Sequence, residues 1–356
     1  MKQNITLTHG GDWAGFAAQY GPDAPLLDFS ANVSPLGLPQ GVAAALAGST
    51  GLCSRYPDPL CRALCDAIGE AEGVPAEWVL CGNGAADVIW RAALALKPAR
   101  ALVTAPAFAE YQTALESVGC RVEHYFLRDE RDFALDEGIL EAIRPGVEMV
   151  FLCEPNNPTG RTTPRPLLER ILDRCREAGA VLVVDECFGD FLEDPAAHTL
   201  KGCLGAYPNL VILKAFTKIY GMAGVRLGYL LGSDEDLLDR LRRAGQPWAV
   251  STPAQEAGLA ALRETAYVEQ VRALIARERP RLAAGLRALG CRVVEGEANY
   301  LLFRCEKPLI APLRRRGILL RSCGNYAGLD DGWYRTAVRT GPENDRLLAA
   351  LEELLG

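Results

Sequence analysis

Two kinds of hydrophobic pattern alternate along the middle of the chain. Unbroken apolar runs stand at 101–104, 149–152, 180–184 and 210–213, and the stretches 109–118, 136–142 and 166–178 between them repeat apolar residues every three or four positions. An unbroken run suits a strand buried on both faces, whereas the wider spacing suits a helix with one buried face. Further strands are expected at 78–80, 121–125 and 225–231, and further helices at 42–46, 60–70 and 88–96. Strand and helix taken in turn predict an α/β fold whose large domain has a mostly parallel sheet covered by helices on both faces. In such sheets ligands lie beyond the carboxyl ends of the strands. Phe108, Asn157, Asp185 and Lys218 each follow one, Lys218 in the loop after the strand at 210–213.

The pattern changes after the helix expected at 234–244. One long helix, 253–289, carries the chain out of the large domain, followed by strands at 292–295, 300–304, 318–321 and 333–337 and helices at 309–316 and 343–355. That is the make-up of a small α+β domain. Residues 1–40, rich in Gly, Pro and Asn but holding Leu26-Leu27 and several aromatics, read as an arm packing with the small domain. The division is therefore an arm (1–40), a large cofactor-binding domain (41–250) and a small C-terminal domain (251–356).

Composition narrows the function. With 49 % apolar and 23 % charged residues the chain is ordinary globular material, and a net charge of −7 argues against a nucleic-acid partner. Twelve scattered cysteines without a C-x-x-C pair, and only three histidines, suit buried apolar thiols in a reducing cytoplasm rather than zinc or a disulfide framework. No apolar run approaches a membrane span, and the first residues lack a signal-peptide core, so a cytoplasmic protein with no membrane partner is expected. Against the acidic whole, Arg314, Arg315, Arg316, Arg321, Arg335 and Arg339 concentrate positive charge where a small anionic ligand could bind. The run Arg314–Arg316 reads best as a solvated basic face.

Lys218 sits among small residues, with Thr217 beside it and Arg226 eight positions on. A crowded amine near a second cation has a lowered pKa, as an anchor for a carbonyl cofactor needs. Pyridoxal phosphate needs a carboxylate for its ring nitrogen, a donor for its ring hydroxyl and anion binders for its phosphate. Asp185 supplies the first and Asn157 the second. Gly84, Ala85 and Ala86, between a strand and a helix N-terminus, form with Thr217 and Arg226 a candidate phosphate cradle.

The motifs N-N-P-T-G at 156–160, D-E at 185–186, T-K at 217–218 and G-V-R-L-G-Y at 224–229 together resemble the class I/II aminotransferase superfamily of fold type I pyridoxal-phosphate enzymes, over nearly the whole chain. Within it, HGG at 9–11, DFSANVSPLG at 28–37, YPDP at 56–59, PAFAEY at 106–111, ANYLL at 298–302 and GILLRSCGNYAGL at 317–329 are similar to the threonine-phosphate decarboxylases, with the histidinol-phosphate aminotransferases next. The resemblance implies pyridoxal 5'-phosphate bonded to Lys218, its ring stacked between Phe108 and the side chain at 187, and a homodimer in which Tyr56 reaches the neighbouring subunit's cofactor phosphate. It further implies a phosphorylated amino-acid substrate, with Arg335 on its carboxylate and His9, Gly10 and Asn32 on its phosphate, Arg321 nearby. Asn157 would serve both cofactor and substrate.

Glu154, Ala215, Cys187, Phe188 and Ser251 depart from the usual pattern. Losing the hydroxyl at 215 removes one phosphate contact, Phe188 leaves Asn157 as the ring-oxygen partner, and Ser251 bears on substrate choice. Decarboxylation and transamination differ by a rotation about the bond from the substrate nitrogen to Cα, which residue types alone do not set. Decarboxylation of threonine phosphate for cobalamin assembly, decarboxylation of serine phosphate, and transamination of histidinol phosphate all stay open. A non-catalytic regulator on the same scaffold would be expected to carry a basic DNA-binding segment, which this sequence lacks.

Overall fold

The computed structural model describes residues 9–356, so the first eight positions of the expected arm lie outside the described residues. Seven strands form the large sheet, in the spatial order Val79–Gly82, Gly228–Gly232, Leu210–Ala215, Val181–Asp185, Met149–Cys153, Arg100–Ala105, Arg121–Phe126. Every pairing is parallel except the two made by Gly228–Gly232.

Alternation explains why the central strands are apolar throughout. Leu102, Val150, Leu182, Val184 and Ile212 enter one core, while Val103, Phe151, Val183, Val211 and Leu213 enter another on the opposite face. A strand whose successive side chains enter two separate cores has no position left for a polar residue. The polar residues therefore collect where the strands end.

The small sheet runs Arg321–Ser322, Trp333–Ala337, Tyr300–Arg304, Arg292–Val293, all antiparallel. Leu27–Asp28 pairs in parallel with Ile318–Leu319, next to the small sheet in sequence. Arg314 donates to Asp12 at 3.0 Å and Arg316 to Glu353 at 3.1 Å, so two members of the expected solvated basic run make ion pairs, one of them tethering the arm.

Three expectations are corrected. The helix expected at 253–289 is two, Thr252–Ala261 and Thr265–Ala288. Glu264 at the break accepts the backbone N–H of Gly41 at 2.9 Å, a tertiary contact that periodicity does not register. The strand expected at 318–321 splits between two sheets at Leu320. The arm also contains a helix, Trp13–Tyr20, capped by Asp12, whose carboxylate accepts from Gly15 N at 3.0 Å.

All twelve cysteines are free, and all but Cys53 and Cys203 are buried. No helix among the described residues is long and apolar enough to cross a membrane.

Candidate active site

Two cavities of similar size share Ala215 in their walls. One, of about 570 Å³, is lined by Glu72, Asp190 and Lys214; the other, of about 540 Å³, by Lys218 and Asp185. The charged groups of the first satisfy one another, whereas the second holds an amine with no partner. Chemistry rather than volume therefore marks the second as the site.

Lys218 lies on a single helical turn, Phe216–Ile219, which follows the strand Leu210–Ala215 and replaces the expected loop. Its Nζ is 5.5 Å from the Phe188 ring centroid and makes no hydrogen bond or ion pair among the described residues. Burial lowers its pKa, and the guanidinium groups of Arg335 and Arg226 push the same way against Cys187 and Asp185. The amine is thus neutral over a wider pH range than an exposed lysine.

Asp185 closes its strand with both carboxylate oxygens engaged. Oδ1 accepts from Cys187 N at 3.0 Å and Oδ2 from the Tyr111 hydroxyl at 2.5 Å. Tyr111 itself is sealed from solvent, and burial and the Asp185 charge push its phenol well up. Phe108 and Cys187 both line the cavity, as does Phe188, which meets Tyr300 edge-on at 5.0 Å.

The cradle is built by close backbone approach. Gly84 takes φ +80°, where a side chain is strained, and a Cβ there would stand 2.6 Å from Arg226 Nη2. A Cβ at Gly228 would stand 2.5 Å from the Ala85 nitrogen, so the helix Ala85–Leu96 starts hard against the antiparallel strand. Ala85, Ala86, Thr217 and Arg226 line the cavity together, with the open N–H groups of the helix start among them.

Arg335 is braced from three sides. It donates to Asn157 Oδ1 at 2.5 Å and to Ser30 O at 2.9 Å, and with the Asn32 amide oxygen turned toward it, Asn32 accepts from Nη1 at 3.3 Å and Nε at 3.1 Å. Arg321 donates to Asn325 at 2.8 Å and stands 5.3 Å from the Tyr326 ring centroid. Gly10 runs so close to Ser30 that a Cβ would be 2.2 Å from its carbonyl oxygen, which brings the arm and His9 into the cavity wall.

Arg335 and Arg339 do not share a strand face: the strand ends at Ala337, and Arg339 pairs with Glu343 at 2.7 Å, outside the cavity. Ser251 caps the helix Thr252–Ala261, accepting from Ala254 N at 3.3 Å, and does not line the cavity. Tyr56 is also outside it: the ring is 80 % exposed and stacks on Trp248 at 4.5 Å. Conversely, Tyr111, Tyr326, Ser30 and Glu110 were not singled out and line the cavity. Tyr111 and Glu110 lie in the PAFAEY motif, and that was the available signal.

A family model for aminotransferase class I and II matches residues 24–351. The chain belongs to that family. It is 42 % identical over 353 residues to a threonine-phosphate decarboxylase of Salmonella typhimurium, covering 98 % of this chain and 96 % of the relative. It is 38 % identical over 345 residues to a histidinol-phosphate aminotransferase of Desulfitobacterium hafniense, covering 94 % and 92 %. The crystal structure of a histidinol-phosphate aminotransferase from Clostridium acetobutylicum superposes with a TM-score of 0.87 at 28 % identity, covering 92 % of this chain and 99 % of that one. As a class I and II aminotransferase, the protein has the fold type I architecture and depends on pyridoxal phosphate. The residues present fit that group: an unpartnered buried amine, a fixed carboxylate and a backbone cradle closed by a guanidinium stand in one cavity.

Proposed function

We propose that the protein decarboxylates L-threonine O-3-phosphate to carbon dioxide and (R)-1-aminopropan-2-yl phosphate, the amine used in the cobalamin nucleotide loop. The observation that carries this reading is a pair of anion-binding groups in one cavity opposite Lys218. Arg335, oriented by Asn157 and Asn32, suits a carboxylate; His9, Gly10 and Arg321 suit a phosphomonoester. A substrate with both groups fits the site at two points, and the decarboxylase relative supports that choice.

Pyridoxal phosphate, when bound, supplies the electron sink that makes a bond at Cα breakable. In this reading Lys218 would hold it covalently and would be the amine that moves a proton at the substrate's Cα. Asp185, held by the Tyr111 hydroxyl and Cys187 N, would face the ring nitrogen. Asn157 would serve the ring oxygen, Phe108 and Cys187 would flank the ring, and Gly84, Ala85, Ala86, Thr217 and Arg226 would take the phosphate. Arg335 would hold the substrate's carboxylate while the arm holds its phosphate, fixing the two ends of the substrate in the cavity. The acting unit is a cytoplasmic homodimer in which the exposed Tyr56 reaches the cofactor phosphate of a second copy.

Incubation with threonine phosphate tests this. Carbon dioxide released with no oxo-acid present is expected; strict dependence on 2-oxoglutarate would move the protein to the second reading, an aminotransferase for histidinol phosphate or a related amine, which the 38 % identical relative favours. Release from serine phosphate alone would keep the mechanism and change the substrate. The dimer is checked by sedimentation, with a monomer at micromolar concentration as the contrary result.

A further inference from the structure

Glu110 is a carboxylate in a cavity built for anions, where a free negative charge would oppose binding. It is the first residue of the helix Glu110–Ser117, and its two oxygens are taken by groups from different parts of the chain. Oε1 lies 2.8 Å from His9 Nε2 of the arm, and Oε2 accepts from Trp90 Nε1 at 3.3 Å. Trp90 belongs to the helix Ala85–Leu96 that opens at the phosphate cradle. His9 is also 5.6 Å from the Phe108 ring.

We propose that Glu110 is a positioning residue for the substrate's phosphate: anchored by Trp90, it holds His9 over the cavity mouth as a group that the phosphomonoester meets. The inference rests on the phosphorylated substrate of the preceding section.

Two physical points carry it. With Nε2 facing a carboxylate, that nitrogen keeps its proton, and the neutral ring would then present a lone pair at Nδ1, which an anion avoids. A ring that donates Nε2–H to Glu110 offers Nδ1–H to a phosphate oxygen only when a proton sits on both nitrogens. Nδ1 has no partner among the described residues. The second point is rigidity. The His9 side chain is 48 % exposed and Glu110 21 %, so the arm's hold on the cavity at this point depends on one contact, fixed at its inner end by Trp90. The neighbouring Asp12 of the arm is engaged with Arg314 and cannot substitute.

The test is a double-mutant cycle on the holoenzyme: wild type, Glu110→Gln, His9→Gln and the double variant, with Glu110→Asp as the conservative replacement. KM and kcat are measured for carbon dioxide release from threonine phosphate. Losing one charge-assisted contact raises KM about tenfold. That increase is expected for each single variant, with kcat falling less than about threefold, the double variant no worse than His9→Gln, and partial recovery in Glu110→Asp. An unchanged or lower KM in Glu110→Gln would show the carboxylate merely repelling phosphate, and additive losses would show the two residues acting apart; either result overturns the proposal. Unaltered cofactor absorbance in each variant separates a local effect from misfolding. If the wild type releases no carbon dioxide, the decarboxylase reading fails by itself. The same cycle run with histidinol phosphate and 2-oxoglutarate then decides Glu110, upheld by a coupled KM increase and overturned by its absence.

Discussion

Lys214 and Lys218 stand four residues apart, both partly buried, at the end of the same strand and in the turn after it, and their surroundings give them opposite chemistry. Lys214 Nζ is 2.8 Å from Glu72 and 3.1 Å from Asp190, and Glu72 also receives Lys201 at 2.8 Å and the Tyr229 hydroxyl at 2.5 Å. Burial alone would lower the pKa of Lys214, but Asp190, Tyr229, Glu72 and Glu186 outweigh it and push the group well up. Lys218 meets the same burial with two arginines among its neighbours, and its pKa moves down. Desolvation is common to both; the sign of the neighbouring charge decides which lysine is held as a cation and which is eased toward the neutral amine.

Exchanging the two lysines' losses is the sharpest way to break this contrast. Lys218→Ala is expected to abolish borohydride tagging of the cofactor and to lower turnover by about 10³-fold or more, since both the anchor and the proton-moving amine go, while leaving thermal stability near wild type. Lys214→Ala should do the reverse. It leaves the partly buried Glu72 and Asp190 without that cation, at a cost of about 1–3 kcal/mol in denaturant unfolding, with tagging still at position 218. Peptide mass mapping after borohydride reads one arm and urea titration the other; tagging at 214 in either variant would end the comparison.

The acid side of the stability profile follows from the same cluster. Burial would raise the Glu72 carboxyl, but Lys214, Lys201 and Tyr229 outweigh it and hold it down at about 2. A depressed carboxyl stabilises the fold above its unfolded value, roughly pH 4.5, and that stabilisation is lost as pH falls through about 2. Glu72→Gln should therefore flatten the fall in unfolding free energy between those limits. An unchanged acid limb would show that the cluster does not hold its charges as described.

How much of this was legible in advance follows from which forces act locally. The large sheet was, because a strand feeding two cores must be apolar at every position, and Asp185 and Lys218 were, because polar residues appear where such runs end. Lys214 was not singled out: Ile212-Leu213-Lys214-Ala215 reads as one lysine at a strand edge, and its partners come from 72 and 190, far off in sequence. The break in the helix expected at 253–289 and the exclusion of Arg339 from the cavity have the same origin. Glu264 answers to Gly41, and Arg339 to Glu343 past the end of its strand. Periodicity reports the nearest few residues, so contacts closed across the fold are invisible to it until motifs supply them.

The smallest effects come from two tyrosines that repeat the contrast at the level of single hydroxyls. Tyr111 donates to Asp185 at 2.5 Å on the cofactor side, and Tyr229 donates to Glu72 at 2.5 Å in the ionic cluster. Phenylalanine at either position removes one hydrogen bond to a buried carboxylate, about 1.5 kcal/mol, and changes little else in shape. At Tyr229 that loss should appear as about 1.5 kcal/mol of stability with turnover unchanged, since Glu72 touches nothing that reacts. At Tyr111 it should appear in chemistry. Asp185 loses the donor that fixes one of its oxygens beside the position the ring nitrogen would take; turnover should change by no more than about tenfold, with the cofactor's visible band displaced. Equal stability losses and an unmoved band in both variants would mean that the two carboxylates do the same structural job, and the division between an ionic cluster and a reactive site would not hold.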